Sequence, residues 1–280
     1  MKKKINKEGR LTKKFYQKNI LYEWNRLTKD TFHKLEFNTT SKWLKKYLPK
    51  KGSILDAGCG PGRYALALVK MGYKITLLDL VKENLEFSKK KAKRLKLEKN
   101  IKEVIEGSIT DLSKLKSNSF DAVICLGGPL SHVHPASQRS KAVNELIRVA
   151  KPNSLIFISV MSKYGVLLAG QFGWPNEASY KKHFERIVFK GDDYRWHGTK
   201  GFCHFFTSQE LEQLFKNKKV KIVKKIGLEG LSVDKKTTNF YAKKYPKAWK
   251  NWLSVHQKIN TEPFVVDASA HILFILKKLR

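Results

Sequence analysis

Eleven residues constrain this chain's fold more than any other stretch: Ile54-Leu55-Asp56-Ala57-Gly58-Cys59-Gly60-Pro61-Gly62-Arg63-Tyr64. An apolar run ends in an acid, three glycines follow at alternate positions, and a helical pattern begins at once. Glycine is needed where backbone approaches a ligand closely or takes positive φ. The helix start adds unpaired N–H groups and the positive end of a dipole. The segment therefore reads as a nucleotide-binding turn joining a strand to a helix.

The surrounding pattern supports that placement. Short apolar strands predicted over 53–56, 74–79, 101–105, 120–126 and 154–160 alternate with helices over 62–71, 82–97 and 137–150, the rhythm of a parallel sheet covered on both faces. A helix over 208–216 and strands over 219–226 and 270–277 complete an α/β, doubly wound, mostly parallel seven-stranded sheet. The rhythm breaks twice, giving lid-like insertions at 162–200 and 227–262, the second with a helix near 245–257. Residues 1–48 read as an N-terminal arm and a helix packing on the core: a solvated basic arm over 1–14, then a helix over 31–48 on which Leu35, Trp43, Leu44 and Leu48 recur at helical spacing. Residues 49–280 read as the main domain.

Of 280 residues, 57 are Lys or Arg and 24 Asp or Glu, a formal charge of +33 that attracts polyanions. RNA is one partner this suggests. The excess is overwhelmingly Lys spread along every segment, while Arg, the usual fork for phosphate and guanine, is scarce. A solvated basic surface explains the charge equally well, and both readings stay open. The three cysteines, Cys59, Cys125 and Cys203, are far apart and form no C-x-x-C pair, which points to reduced thiols and to no metal site. The longest apolar runs fall far short of the ~20 residues of a membrane span, and no signal-peptide core follows the basic N-terminus. The expected location is cytoplasmic.

Two cofactor classes use a glycine turn of this kind. The dinucleotide fingerprint starting at Gly58 would require glycine where Arg63 stands. The run instead resembles motif I, D-x-G-x-G-x-G, of class I S-adenosylmethionine-dependent methyltransferases, and the resemblance extends from Thr39 to about Phe215. It implies a Rossmann-like fold and S-adenosylmethionine as cofactor, with S-adenosylhomocysteine as product. Asp79 matches the strand-end acid that takes both ribose hydroxyls in that family, and an acceptor-only carboxylate suits two hydroxyl donors. Its alternative is a cap on the following helix. Glu106-Gly107-Ser108-Ile109 stands where the family has a Gly-Asp pair near adenine, with Ser108 in place of the acid. Phe120–Val133 looks like motif IV, and Arg148–Asn153 like the stretch that follows it. The cofactor set implied is Asp56, Gly58, Gly60, Gly62, Asp79, Leu80, Ser108, Ile109, Leu126 and Gly127.

Methyl transfer is an in-line displacement, so the protein contributes positioning, desolvation and, where needed, removal of a proton. His132, after the fourth strand at the ligand-bearing edge, is the candidate catalytic base; a loop histidine satisfied by backbone is its alternative. His134, Trp174, Arg195 and His204 are candidate acceptor-binding residues, and Tyr16, Tyr22, Trp24 and Arg26 are candidates to lie over the cofactor. The expected reaction is methylation of a small molecule. RNA (tRNA or rRNA) methylation and a non-catalytic S-adenosylmethionine-binding protein are the alternatives, the latter disfavoured by the intact acid-and-glycine pattern.

Overall fold

The computed structural model describes residues 7–173, 175–194, 201–232 and 234–280. Five parallel strands come first: β1 (Ser53–Ala57), β2 (Lys74–Asp79), β3 (Ile101–Glu106), β4 (Phe120–Cys125) and β5 (Ala150–Met161). After β6 (Asp192–Asp193) and β7 (Cys203–His204), which form a separate two-stranded ribbon, β8 (Val220–Gly227) and β9 (His271–Lys278) return to the sheet. The order is β3-β2-β1-β4-β5-β9-β8, and β9 alone runs against its neighbours β5 and β8. The expected seven-stranded, mostly parallel sheet is present, and β1 lies between β2 and β4 near its middle.

The helices are α1 (Lys7–Lys18), α2 (Ile20–Arg26), α3 (Thr31–Tyr47), α4 (Arg63–Lys70), α5 (Lys82–Arg94), α6 (Ala136–Val149), α7 (Lys163–Gly173), α8 (Pro175–Ser179), α9 (Lys181–Lys190), α10 (Ser208–Gln213), α11 (Lys235–Lys244), α12 (Pro246–Ile259) and α13 (Pro263–Ala268). None is long and apolar enough to cross a membrane.

Alternation along β4 shows how the core is divided. Val123 and Cys125 pack on one face of the sheet with Val143 and Leu146 of α6, while Ala122 and Ile124 pack on the other with Trp43 and Leu44 of α3 and Leu68 of α4. All these strand residues are fully buried, as a sheet covered on both faces requires. Burial contributes ~1.5–3 kcal/mol for each large apolar side chain. Asp30 starts α3 by accepting the His33 amide at 3.0 Å, and Leu48 leaves it in extended conformation ahead of Pro49.

Two local readings need correction. The basic arm expected over 1–14 is helical from Lys7, and α1 lies at the sheet's carboxyl edge with Lys13 paired to Glu106 of β3, which a charge run alone does not disclose. β5 begins at Ala150 instead of Ser154, because the strand accommodates Pro152 at a register irregularity between Phe120 and Ala122 of its neighbour. The first insertion is mostly helical, α7 to α9. In the second, the helix expected near 245–257 is α12, with Pro246 in its first turn, and α11 precedes it.

Candidate active site

The turn after β1 is fastened to the end of β2 on two sides. The amides of Gly58 and Cys59 both donate to the Leu78 carbonyl, at 2.7 and 3.0 Å, and the Gly60 amide donates to Asp79 Oδ2 at 2.7 Å. Gly58 has φ +80°, and a Cβ there would lie 2.6 Å from Pro129, so both conformation and space demand glycine. Gly60, at φ +53°, would direct a Cβ into open space, with no atom within 4 Å. The turn thus presents bare backbone on one side and packs tightly on the other.

Two buried acids flank it. Asp79, 7% exposed, also accepts from the Val81 amide at 2.8 Å and the Asn84 side chain at 3.2 Å, both on Oδ1. Burial pushes its carboxyl up, against the hydrogen bonds from Val81, Gly60 and Asn84. Oδ1 is thus fully engaged at the approach to α5, while Oδ2 retains one lone pair. Asp56 is 2% exposed, and its Oδ2 has no hydrogen-bond partner among the described residues. Burial, and then the neighbouring Asp79 carboxylate, push the Asp56 carboxyl up to about 8. An orphaned buried oxygen beside open glycine backbone suits a cationic or N–H donor on a ligand.

The other residues of the expected cofactor set divide. Leu80 is half-buried just after β2, and Ile109 is buried near Gly58. Ser108 bonds the Thr110 hydroxyl at 2.8 Å and takes its amide at 3.2 Å, so the hydroxyl expected for adenine already serves its own turn. Leu126 is 5% exposed within the α3 and α4 side of the core and works as packing. Gly127, at φ +79°, donates its amide to Ser159 Oγ at 2.8 Å, and a Cβ there would sit 3.6 Å from Arg26 Nη2. Gly62 caps α4 in left-handed conformation against Ser88.

That Arg26 contact opens onto a charge network the sequence reading did not assemble. Arg26 donates through Nε to Glu23 Oε2 at 3.2 Å, and through Nη1 and Nη2 to the Glu36 carboxylate at 2.5 and 3.3 Å. Glu36 lies 3.8 Å from His271 Nδ1, which donates to Glu229 Oε1 at 2.7 Å. Glu229 also takes the His271 amide and the Ser269 hydroxyl. Burial works against the charged His271 ring, but Glu36 and Glu229 outweigh it and hold its pKa above the ordinary value. Burial likewise opposes ionised Glu36, and Arg26 with His271 overcomes it. Glu36, Glu229 and His271 bring ligand-type atoms within 4.8 Å of one another, but Arg26 already supplies the compensating cation. A signal was present: Glu36 interrupts the buried stripe Leu35, Thr39, Thr40, Trp43 and Leu44, and an acid on that face needs a partner.

His132 follows β4, in a short 3₁₀ turn over Pro129–His132. Its Nδ1 is 2.9 Å from the Phe202 carbonyl, which can only accept, so Nδ1 carries the proton of the neutral ring. Its Nε2 lies 2.7 Å from the Tyr16 hydroxyl of α1 and accepts from it. His134 sits 3.2 Å from the Tyr194 hydroxyl, with its ring 4.5 Å from that of Phe202. His204 is 3% exposed, its Nδ1 2.6 Å from Asp192 and its Nε2 2.5 Å from Glu210. Both nitrogens are engaged, so the expected acceptor-binding role for His204 gives way to bracing β6 against α10. Trp174 and Arg195 lie outside the described residues.

Helices α1 and α2 roof this edge. Lys13 pairs with Glu106 at 2.8 Å, Gln17 donates to Glu83 at 2.6 Å, and Tyr16 reaches His132 across the sheet. Behind them the Arg63 guanidinium stacks 3.7 Å over the Trp24 ring and donates to the Trp24 carbonyl.

The sheet order, the glycine turn and its two acids agree with what known proteins of this shape carry. Residues 55–158 match the family model described as a methyltransferase domain. This chain carries a class I S-adenosylmethionine-dependent methyltransferase domain. The ubiquinone biosynthesis O-methyltransferase of Rickettsia typhi is 30% identical over 158 residues, covering 53% of this chain and 57% of that protein. YqeM of Bacillus subtilis, a candidate methyltransferase, is 28% identical over 134 residues, covering 46% of this chain and 51% of that one. The chain thus spans about half the length of the curated relatives it matches. Among solved structures, a SAM-dependent methyltransferase from Methanosarcina mazei superposes with TM-score 0.57 at 20% identity, over 85% of this chain and 97% of that one. The matched residues run from β1 into β5, the parallel part of the sheet.

The residues present fit the cofactor: bare Gly60 backbone, the orphaned Asp56 oxygen and the remaining lone pair of Asp79 Oδ2 suit a ligand bearing hydroxyl and ammonium donors.

Proposed function

We propose that the protein is an enzyme that transfers a methyl group from S-adenosylmethionine to a small-molecule acceptor. When bound, the cofactor supplies a methyl group already activated on a sulfonium; the chain's residues position it, exclude water and handle a proton. Asp79 Oδ2 would receive a ribose hydroxyl while anchoring the turn, Asp56 Oδ2 would receive the ammonium, and Arg26, beside Gly127, would face the carboxylate. Gly127 keeps the end of β4 free of side chain where the acceptor approaches. His132 takes a proton from an acceptor hydroxyl through Nε2, once Tyr16 has yielded that nitrogen.

The observation that carries the small-molecule reading is the roof. With α1 and α2 laid over the carboxyl edge, the site is built to enclose its acceptor, whereas an RNA substrate calls for an open basic groove. One relative's name supports it, that of an O-methyltransferase of ubiquinone biosynthesis. On this reading residues 1–48 supply the cover, residues 49–280 the methyltransferase domain, and the insertion at 162–200 an acceptor-side wall facing His134.

Calorimetry with S-adenosylhomocysteine tests the cofactor half: micromolar binding is expected, and its absence would remove the reading. Transfer of radiolabelled methyl to phenols, amines and carboxylic acids, beside bulk tRNA and rRNA, tests the acceptor half. Label appearing only in RNA would overturn it.

A further inference from the structure

Hairpin α11–α12 stands apart from this machinery. α11 carries four lysines and α12 three, and neither helix contains Asp, Glu or Arg. Its inner side is accounted for: Asn239 takes the Phe32 amide at 2.9 Å, His256 bonds Thr39, and Trp252 donates to Ser232, fixing the pair against α3. Its outer side exposes large apolar groups, with Phe240 58%, Tyr241 37%, Tyr245 44% and Val255 44% accessible. Aromatic and basic groups interleave there: Lys244 Nζ lies 5.2 Å from the Phe240 ring centre and 5.4 Å from that of Tyr245, and the Tyr241 and Tyr245 rings are 5.5 Å apart.

We propose that the outer face of α11–α12 docks the protein on an anionic lipid surface. Charge complementarity carries the choice of occupant: seven lysines with no acidic residue on either helix match anionic headgroups, and exposed Phe and Tyr partition to the boundary between headgroup and hydrocarbon. A nucleic acid fits less well. Arg, with its fork for phosphate, is missing from both helices. The face also adjoins the site's cover: Lys235 lies 3.8 Å from Asp30, which caps the helix bearing Glu36, so docking brings the roofed edge close to the lipid.

The test is co-sedimentation of the full chain with vesicles of phosphatidylcholine containing about one-third phosphatidylglycerol, or of phosphatidylcholine alone. Binding to the anionic vesicles only is expected. The variant Lys243→Glu/Lys244→Glu/Lys247→Glu should lose it by about a hundredfold. Phe240→Ser/Tyr245→Ser, with charge unchanged, should weaken it about tenfold. Both should keep the wild-type affinity for S-adenosylhomocysteine, which reports an intact fold. A measurement needing no variant is quenching of tryptophan fluorescence by brominated lipid, expected because Trp249 and Trp252 lie on this hairpin. Failure of the wild type to bind, binding untouched by either variant, or tighter binding to oligouridylate than to vesicles would each overturn the proposal.

Discussion

The amide of Gly60 donates to Oδ2 of Asp79 at 2.7 Å, so one carboxylate both fastens the glycine turn and borders the space above it. Asp79→Asn keeps the shape but places an amide N–H against a backbone N–H on one side. S-adenosylhomocysteine affinity should fall by at least about tenfold, the equivalent of ~1–3 kcal/mol for an unpaired buried group. Calorimetry paired with thermal unfolding separates loss of the ligand contact from loosening of the turn. Unchanged affinity would take Asp79 out of the site.

Asp56 makes stability and ligand affinity depend on pH in opposite senses. Its carboxyl is raised from the ordinary 3.8 to about 8, so the folded chain holds a proton that the unfolded chain releases. The contribution is fully present below the unfolded value and fades as pH rises toward about 8. Asp56→Asn should flatten that slope in urea unfolding between those values. A cofactor ammonium on Oδ2 favours the ionised form, so S-adenosylhomocysteine affinity should rise over the same range. Calorimetry in buffers of different ionisation enthalpy should detect the released proton.

Removing the Tyr16 hydroxyl deletes its hydrogen bond to His132 Nε2. Tyr16→Phe should cost ~0.5–1.5 kcal/mol, increase hydrogen exchange along α1 and leave S-adenosylhomocysteine affinity within about threefold. His132→Asn should leave that affinity alone while lowering turnover of an identified acceptor by ~10²–10⁴. Full turnover in His132→Asn would assign the ring to packing.

Glu36 and Arg26 should show the asymmetry of a buried ion pair. Glu36→Ala strands the guanidinium and should cost ~3–5 kcal/mol, whereas Arg26→Met combined with Glu36→Leu should cost less than Glu36→Ala alone. Denaturant unfolding of the three variants measures this. Additive losses would show that the two side chains are not coupled.

Much of the site was legible because its determinants are local. Strand, acid, three glycines and helix occupy consecutive positions, and positive φ at Gly58, Gly60 and Gly62 is something backbone sterics reserve for glycine. The period of the apolar residues likewise placed β2 from Lys74 to Asp79 without error. What tertiary structure decided is every pairing across distance. Tyr16 meets His132 from 116 residues away, Glu229 meets His271 from 42, and His204 disappears between two carboxylates although its neighbours in sequence look like a ligand-bearing loop. A charged or polar side chain carries no periodic signal of its partner; its role follows from the desolvation it suffers and from which opposite charge the fold delivers to it. Sequence by itself therefore determined the sheet, the turn and the cofactor class, while the roof of α1 and α2 and the Arg26–Glu36–His271–Glu229 network exist only because the folded chain brings those groups together.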